Sequence, residues 1–211
     1  MGETQQRKTS WCNAANIITF TRFVFIPLII LFYLLPDSVT DGCGKLIAMI
    51  LFAVAAFTDF LDGWIARRFN MVTDLGKLLD PIADKTLTML GFLLIFTDMT
   101  LIGTLYPVWF AVTIFIVIIL RDNLINAIRQ LCALKGKAMA AGWVAKWKST
   151  FQYIGISLAM FYGFALVSIN MSGTLEAVLK WTTWGFLIIS ALLSILSGIN
   201  YTRHFYLTRK D

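Results

Sequence analysis

Long apolar stretches separated by short polar connections dominate the chain. A helix that crosses a bilayer needs about 20 consecutive apolar residues, and six stretches meet this requirement. They cover residues 17–36, 45–67, 79–97, 101–121, 150–171 and 178–201. The pattern predicts an all-α fold: a polytopic membrane protein whose six transmembrane helices form one bundle. We find no internal repeat or long linker, so residues 1–211 are expected to be a single domain.

The composition supports a membrane class. Of the 211 residues, 58% are hydrophobic and only 14% are charged, whereas soluble domains are about half apolar and about a quarter charged. This excess of apolar residues excludes a disordered chain, a disulfide-stapled secreted module and a protein that binds nucleic acid. The three cysteines, an odd number without a CxxC pair, indicate free thiols rather than structural disulfides.

The basic residues indicate how the bundle is oriented in the lipid bilayer. The net charge is +6, and the lysines and arginines are concentrated in alternate connections. Cytosolic connections carry the excess of such residues. With the N-terminus inside, the opposite side receives only Lys45 and Lys180. We therefore expect a multi-pass protein of the cytoplasmic membrane with both termini in the cytosol, and residues 1–16 as a short cytosolic segment.

Four aspartates interrupt the apolar pattern at one place. Asp59 and Asp62 end the second apolar stretch, and Asp80 and Asp84 open the third. Each pair is spaced to share one face of a helix. Charged side chains inside a membrane are costly and usually functional. Because a short connection joins the two stretches, the four carboxylates are expected to meet at the cytosolic ends of their helices.

The chemistry of four converging carboxylates points to bound metal. Like charges raise one another's pKa, so four carboxylates in a low-dielectric site would not all stay ionised alone. Divalent cations remove this conflict, and oxygen-only ligands favour Mg²⁺ or Mn²⁺. Two such ions can clamp the oxygens of a phosphoryl group during its displacement. The alternative is structural: the aspartates would cap helix ends or pair with the neighbouring lysines and arginines.

The aspartates belong to a longer pattern of eight fixed residues, D-x2-D-G-x2-A-R-x8-G-x3-D-x3-D. Its members are Asp59, Asp62, Gly63, Ala66, Arg67, Gly76, Asp80 and Asp84. This pattern resembles the signature of the CDP-alcohol phosphotransferases at every fixed position. The resemblance implies a CDP-linked donor, usually CDP-diacylglycerol, from which an alcohol displaces CMP. It also implies that all four aspartates bind divalent metal, that Asp84 is the general base, and that the protein is a homodimer.

The same resemblance assigns residues to the nucleotide end of the donor. Gly63, Arg67 and Thr73 are expected to contact the cytidine diphosphate. Asn16 and Thr19, at the start of the first stretch, match family positions near the nucleotide. The donor's acyl chains would stay in the lipid bilayer while its nucleotide is reached from the cytosol.

A second group of charges suggests the acceptor. Arg121 and Arg129 are eight residues apart, and Lys146 and Lys148 open the fifth stretch. A basic cluster beside a metal site suits a phosphorylated acceptor, because arginine grips phosphate through two hydrogen bonds. The surrounding segments, RDNLINAIRQL and KWKSTFQ, resemble the family members that use glycerol 3-phosphate. The alternative is that these residues only provide positive charge on the cytosolic side.

Three other functions stay open at this point. A related enzyme could use another acceptor, such as inositol phosphate, phosphatidylglycerol or serine. A small ion transporter could line its pathway with the carboxylates, although transporters commonly carry internal repeats and midplane sites, and here the acids cluster at one face. A purely structural membrane protein would not need the complete eight-residue pattern.

Overall fold

The computed structural model describes the backbone of residues 14–68, 74–98, 101–105, 107–134, 143–169 and 173–208. Within these ranges, side chains are described for residues 21–36, 38–58, 61, 85–98, 101–105, 107, 109–110, 112–125, 127, 147–169 and 173–199.

The described chain is helical, with six long helices and one short one. They are α1 (Ala14–Leu34), α2 (Asp37–Thr40), α3 (Gly44–Arg68), α4 (Asp74–Thr97), α5 (Val108–Leu134), α6 (Trp143–Ser168) and α7 (Gly173–Thr208). Each long helix contains most of one predicted apolar stretch, and the described residues contain no β-strand. The all-α prediction is therefore confirmed.

The core lies between α1, α3, α4 and α6. Ile29, Phe52, Leu87 and Ile156, one from each of these helices, are completely buried. Gly91 lets α4 approach its neighbours closely, because an added Cβ would lie 2.7 Å from the Phe52 ring and 2.8 Å from Ile156. Small residues at such crossings are typical of helices that pack inside membranes. α5 and α7 pack on each other and against this core from outside.

Two of the described helices are long and apolar enough to cross a membrane. They are Trp147–Ser168, with 22 residues, and Gly173–Ile199, with 27 residues. Shorter apolar helices cover Thr21–Leu34, Gly44–Thr58 and Lys85–Thr97. The fold is thus consistent with a membrane protein, while the expected number of six spans stays a prediction.

Large apolar side chains lie on the outside of the bundle. Trp109 and Leu120 of α5, with Trp181 and Leu192 of α7, are each more than half exposed. A water-soluble bundle would turn such a contiguous apolar surface inward or cover it with a partner. A surface of this composition matches a hydrocarbon environment.

Contacts between helix termini define two ends of the bundle. The charged end, as we call it, contains the last turns of α3, α5 and α7 and the first turns of α4 and α6. At the opposite end, Asp98 accepts hydrogen bonds from Tyr33 and Lys45, both at 2.8 Å. Tyr162 of α6 donates to Glu176 of α7 there, at 3.2 Å. The helices are therefore fastened by polar contacts away from the charged end.

Several helices extend further at the charged end than the apolar stretches predicted. α5 ends at Leu134 rather than near residue 121, α6 begins at Trp143 rather than near residue 150, and α4 begins at Asp74 rather than near residue 79. Hydropathy detects only the part of a helix that is apolar, whereas backbone hydrogen bonding continues into polar sequence. These extensions carry Arg129, Lys146 and Lys148, three of the residues expected to bind the acceptor phosphate.

Candidate active site

The four aspartates lie in two helices that pack against each other. α3 carries Asp59 and Asp62, and α4 carries Asp80 and Asp84. Their side chains lie outside the residues that the structure describes. The predicted convergence of the carboxylates therefore stays a prediction, whereas their helical setting is confirmed.

The two aspartate pairs lie at similar distances from the helix ends that residues 69–73 connect. Residues 69–73 join α3 to α4, so the two helices meet at the charged end. At the usual helical rise, Asp62 lies about 9 Å before the end of α3, and Asp80 lies about 9 Å after the start of α4. Asp59 and Asp84 lie roughly 14–15 Å from the same helix ends. These distances along the helix axes agree with the predicted meeting of the four carboxylates, which stays a prediction.

Four of the residues expected to bind the nucleotide lie near the charged end of the bundle. The backbone places Asn16 and Thr19 in the first two turns of α1, and Gly63 and Arg67 in the last two turns of α3. Their side chains lie outside the described residues, as does the whole of Thr73. Their nucleotide contacts stay a prediction.

Two of the residues expected to bind the acceptor phosphate come together in the structure. Arg121 of α5 donates from Nη1 to Oδ1 of Asp122 at 2.7 Å. Lys148 of α6 donates from Nζ to the other oxygen of the same carboxylate. Ser194 of α7 donates to Oδ1 at 3.4 Å. Asp122 therefore joins three helices, and we call Arg121, Asp122, Lys148 and Ser194 the interhelical cluster.

Three basic side chains contact Asp122. Lys85 of α4 donates from Nζ to the backbone carbonyl of Asp122 at 3.5 Å. Two lysines and Arg121 thus contact one aspartate. Lys148 is only 8% exposed, so solvent screens these charges weakly. Charge interactions within this group are therefore strong.

One edge of the Arg121 guanidinium has no acceptor in the described part of the chain. Nη1 is bonded to Asp122, whereas Nε and Nη2 are buried without a hydrogen-bond partner. These two N–H groups form the edge that binds phosphate through two parallel hydrogen bonds. The edge lies against Gly198 of α7, where an added Cβ would be 3.1 Å from Nε. Glycine keeps this approach free of side-chain bulk.

The remaining two basic residues are placed only by their helices. Arg129 lies in α5, two turns after Arg121, and Lys146 lies at the start of α6. Both side chains lie outside the described residues. Their part in binding the acceptor stays a prediction.

Asp122, Ser194 and Gly198 were not among the site residues predicted from the sequence. The sequence could have indicated a polar face on α7, because Ser190, Ser194 and Ser197 are spaced to share one side of an apolar helix. All three serines are buried. A polar stripe on an apolar helix predicts a face turned toward other polar groups rather than toward lipid.

Two further buried polar residues were also missed. Gln152, one turn after Lys148 in α6, is 2% exposed, and its Nε2 finds no acceptor among the described residues. Arg22, one turn after Thr19 in α1, is completely buried. Burying an amide or a charged group costs free energy. Their placement toward the charged end marks the bundle interior there as polar.

The described side chains do not include the expected metal ligands. Among them, no three His, Cys, Asp or Glu residues lie close enough to hold an ion. The donor set predicted from the sequence, four carboxylates on two adjacent helices, supplies oxygen ligands alone, as Mg²⁺ and Mn²⁺ prefer. The residues therefore fit a hard divalent cation.

The chain is similar to proteins named as phosphatidyltransferases over most of its length. It is 31% identical over 194 residues to the CDP-diacylglycerol–glycerol-3-phosphate 3-phosphatidyltransferase of Rickettsia bellii, covering 90% of this chain and 93% of that protein. It is 33% identical over 147 residues to the enzyme of the same name from Escherichia coli K12, covering 69% and 75% of the two chains. The Salmonella choleraesuis enzyme of that name is 31% identical over 147 residues, with the same coverage.

A family model gives the same result over most of the chain. The model of the CDP-alcohol phosphatidyltransferases matches residues 12–196, a range that contains the eight-residue pattern, the aspartate helices and the interhelical cluster. The similarity thus includes both groups of candidate site residues, and the chain belongs to the CDP-alcohol phosphatidyltransferase family.

Proposed function

We propose that this protein transfers the phosphatidyl group of CDP-diacylglycerol to glycerol 3-phosphate. The products are phosphatidylglycerol phosphate and CMP, in a step of phospholipid biosynthesis. The names of the similar enzymes support this reaction. The observation that carries it in this chain is the placement of Arg121 and Lys148 on one carboxylate, with the buried Nε and Nη2 of Arg121 unpaired and suited to phosphate.

The reaction is a displacement at phosphorus. A hydroxyl oxygen of glycerol 3-phosphate forms a bond to the lipid-bearing phosphorus of CDP-diacylglycerol. The bond from that phosphorus to the CMP oxygen breaks, and CMP leaves with the electron pair. We assign Asp84 as the general base that takes the hydroxyl proton, since a carboxylate within reach of the acceptor can remove it.

We assign Asp59, Asp62, Asp80 and Asp84 as the ligands of two divalent cations, Mg²⁺ or Mn²⁺. When bound, such ions neutralise the charge that builds up on the pyrophosphate oxygens as the bond to CMP breaks. Arg67 adds positive charge at the diphosphate. Because Asp84 would serve both a cation and the acceptor hydroxyl, its role is more sensitive to substitution than that of a simple ligand.

The donor and acceptor occupy different parts of the charged end in this proposal. Asn16, Thr19, Gly63, Arg67 and Thr73 bind the cytidine diphosphate beside the aspartates. The acceptor phosphate binds at Arg121 and Lys148, with Arg129 and Lys146 nearby. Lys85 links the two regions, because it lies one residue after Asp84 and donates to the backbone of Asp122.

We propose six membrane spans, with the charged end and both termini on the cytosolic side of a bacterial cell membrane. The distribution of lysine and arginine supports this orientation. CDP-diacylglycerol and glycerol 3-phosphate then meet where the soluble substrate is dissolved. We also propose a homodimer, in which part of the apolar outer surface of the bundle is shared between two copies.

The test is release of CMP by the purified protein in detergent micelles. With CDP-diacylglycerol and Mg²⁺ or Mn²⁺, we expect CMP release to depend on added glycerol 3-phosphate. Inositol phosphate, phosphatidylglycerol and serine, offered one at a time, should give less than about a tenth of that rate, because each lacks either the phosphate or the shape that the basic cluster binds. Faster release with one of these acceptors would replace the proposed substrate. No release with any of them would remove the proposed reaction.

A further inference from the structure

The interhelical cluster contains an acid at its centre, which is unexpected in a site for an anionic substrate. Asp122 lies between Arg121 and Lys148 and uses both carboxylate oxygens to bind them. An acid at this place repels phosphate by direct charge. Its presence therefore requires a function that outweighs this repulsion.

We propose that Asp122 is a positioning residue for the acceptor phosphate. Its carboxylate holds the guanidinium of Arg121 and the ammonium of Lys148 in one arrangement, with the Nε–Nη2 edge of Arg121 left for the ligand. This inference rests on the proposed function, in which glycerol 3-phosphate is the acceptor. It adds a residue that binds no substrate itself and acts through two that do.

The geometry supports positioning rather than ligand binding. Arg121 donates to Asp122 through Nη1, which is not part of the two-nitrogen edge. A carboxylate bound at Nη1 fixes the rotation of the planar guanidinium and thereby the direction of its other edge. Because the hydrogen bond is charge-assisted, it is about twice as strong as a neutral one.

The second contact brings in a different helix. Lys148 belongs to α6, and its long flexible side chain loses much rotational freedom when its ammonium is fixed. Asp122 fixes it beside Arg121 before any substrate arrives. Ser194 of α7 donates to the same carboxylate at 3.4 Å, so the acid is itself held from the third helix.

Charge arithmetic explains how the cluster still attracts phosphate. Without Asp122, Arg121 and Lys148 would be two like charges close together in a poorly hydrated interior, and they would move apart. With it, the pair keeps one net positive charge. Asp122 lowers the electrostatic attraction of the cluster for phosphate, but it keeps Arg121 and Lys148 in the arrangement that binds phosphate.

The experiment compares steady-state kinetics of Asp122→Asn and Asp122→Glu with those of the natural protein, measuring CMP release while each substrate is varied in turn. For Asp122→Asn, we expect the KM for glycerol 3-phosphate to rise about tenfold or more, as loss of charged hydrogen bonds predicts. The KM for CDP-diacylglycerol should stay within twofold. Asp122→Glu keeps the charge but moves it by one methylene, and its KM for glycerol 3-phosphate should rise about threefold.

The control is Asp98→Asn, which removes a buried, ion-paired carboxylate at the opposite end of the bundle. It should destabilise the protein and leave both KM values within twofold. An unchanged KM for glycerol 3-phosphate in Asp122→Asn, or an equal rise of both KM values, would overturn the positioning role. If Asp122→Asn does not fold, the two KM values of Asp122→Glu decide. An unchanged KM for glycerol 3-phosphate, or an equal rise of both KM values, would then overturn the positioning role. Failure of the natural protein to use glycerol 3-phosphate would instead contradict the proposed function.

Discussion

At the scale of single residues, the candidate site is partly predictable. Arg121 and Lys148 were expected near each other from their position at the ends of apolar stretches, and they do share one carboxylate. The place of Asp122 between them could not be predicted, because it depends on how α6 is rotated against α5. Such rotation follows from side-chain packing over the whole bundle and leaves no local sequence pattern.

Arg121→Lys tests recognition of the acceptor phosphate by the guanidinium edge. Lysine keeps the positive charge but offers a point charge in place of two parallel donors. We expect the KM for glycerol 3-phosphate to rise about tenfold, a loss of roughly 1.4 kcal/mol, while the KM for CDP-diacylglycerol stays within twofold. Initial rates of CMP release measure both values. Equal KM values for glycerol 3-phosphate in the two proteins would contradict a bidentate role.

Gly198→Ala tests whether the space beside Arg121 matters. The added Cβ would lie 3.1 Å from Nε, so the guanidinium must shift by a few tenths of an ångström. We expect the KM for glycerol 3-phosphate to rise about fivefold, because small displacements of binding groups are costly. Gly185→Ala is the matched control in the same helix, since a Cβ there meets nothing within 4 Å. The same effect from both substitutions would rule out a local clash.

At the scale of helices, polar groups divide between two ends with different tasks. The charged end holds the candidate site, where Nε2 of Gln152 and Nε and Nη2 of Arg121 lack acceptors among the described residues. The opposite end holds satisfied contacts, in which Tyr33, Lys45 and Asp98 join α1 and α3 to the end of α4. Hydropathy predicted where these helices lie but not their polar extensions, because hydrogen-bonded backbone continues beyond the apolar residues.

Asp98→Asn should weaken the opposite end. It leaves the Lys45 ammonium, whose side chain is only 11% exposed, without its charged partner. Breaking a buried pair from one side costs about 3 kcal/mol, which corresponds to a fall in Tm of roughly 6–12 °C for a chain of this size. Thermal unfolding in detergent measures this change. Asp41→Asn, on an exposed turn at the same end, is the control, and an equal Tm for both variants would show that the ion pair does not stabilise the fold.

At the scale of the whole molecule, the apolar pattern predicted the helical architecture well. Its six stretches correspond to the six long helices because a chain in lipid must satisfy its backbone hydrogen bonds within each segment. The association of α1, α3, α4 and α6 into one core could not be predicted from hydropathy, since lipid-facing and core-facing residues are equally apolar. Completely buried Phe52 and half-exposed Ile50 in α3 illustrate this.

The central claim is that aspartates on α3 and α4 carry out the displacement of CMP. The most direct measurement is CMP release from CDP-diacylglycerol at saturating glycerol 3-phosphate by the natural protein and by Asp84→Asn, with thermal unfolding as a check of folding. The asparagine keeps the shape of the side chain but cannot accept the hydroxyl proton, so we expect the rate to fall by about 1,000-fold or more at nearly unchanged Tm. A folded Asp84→Asn protein that releases CMP at a near-natural rate would contradict the account.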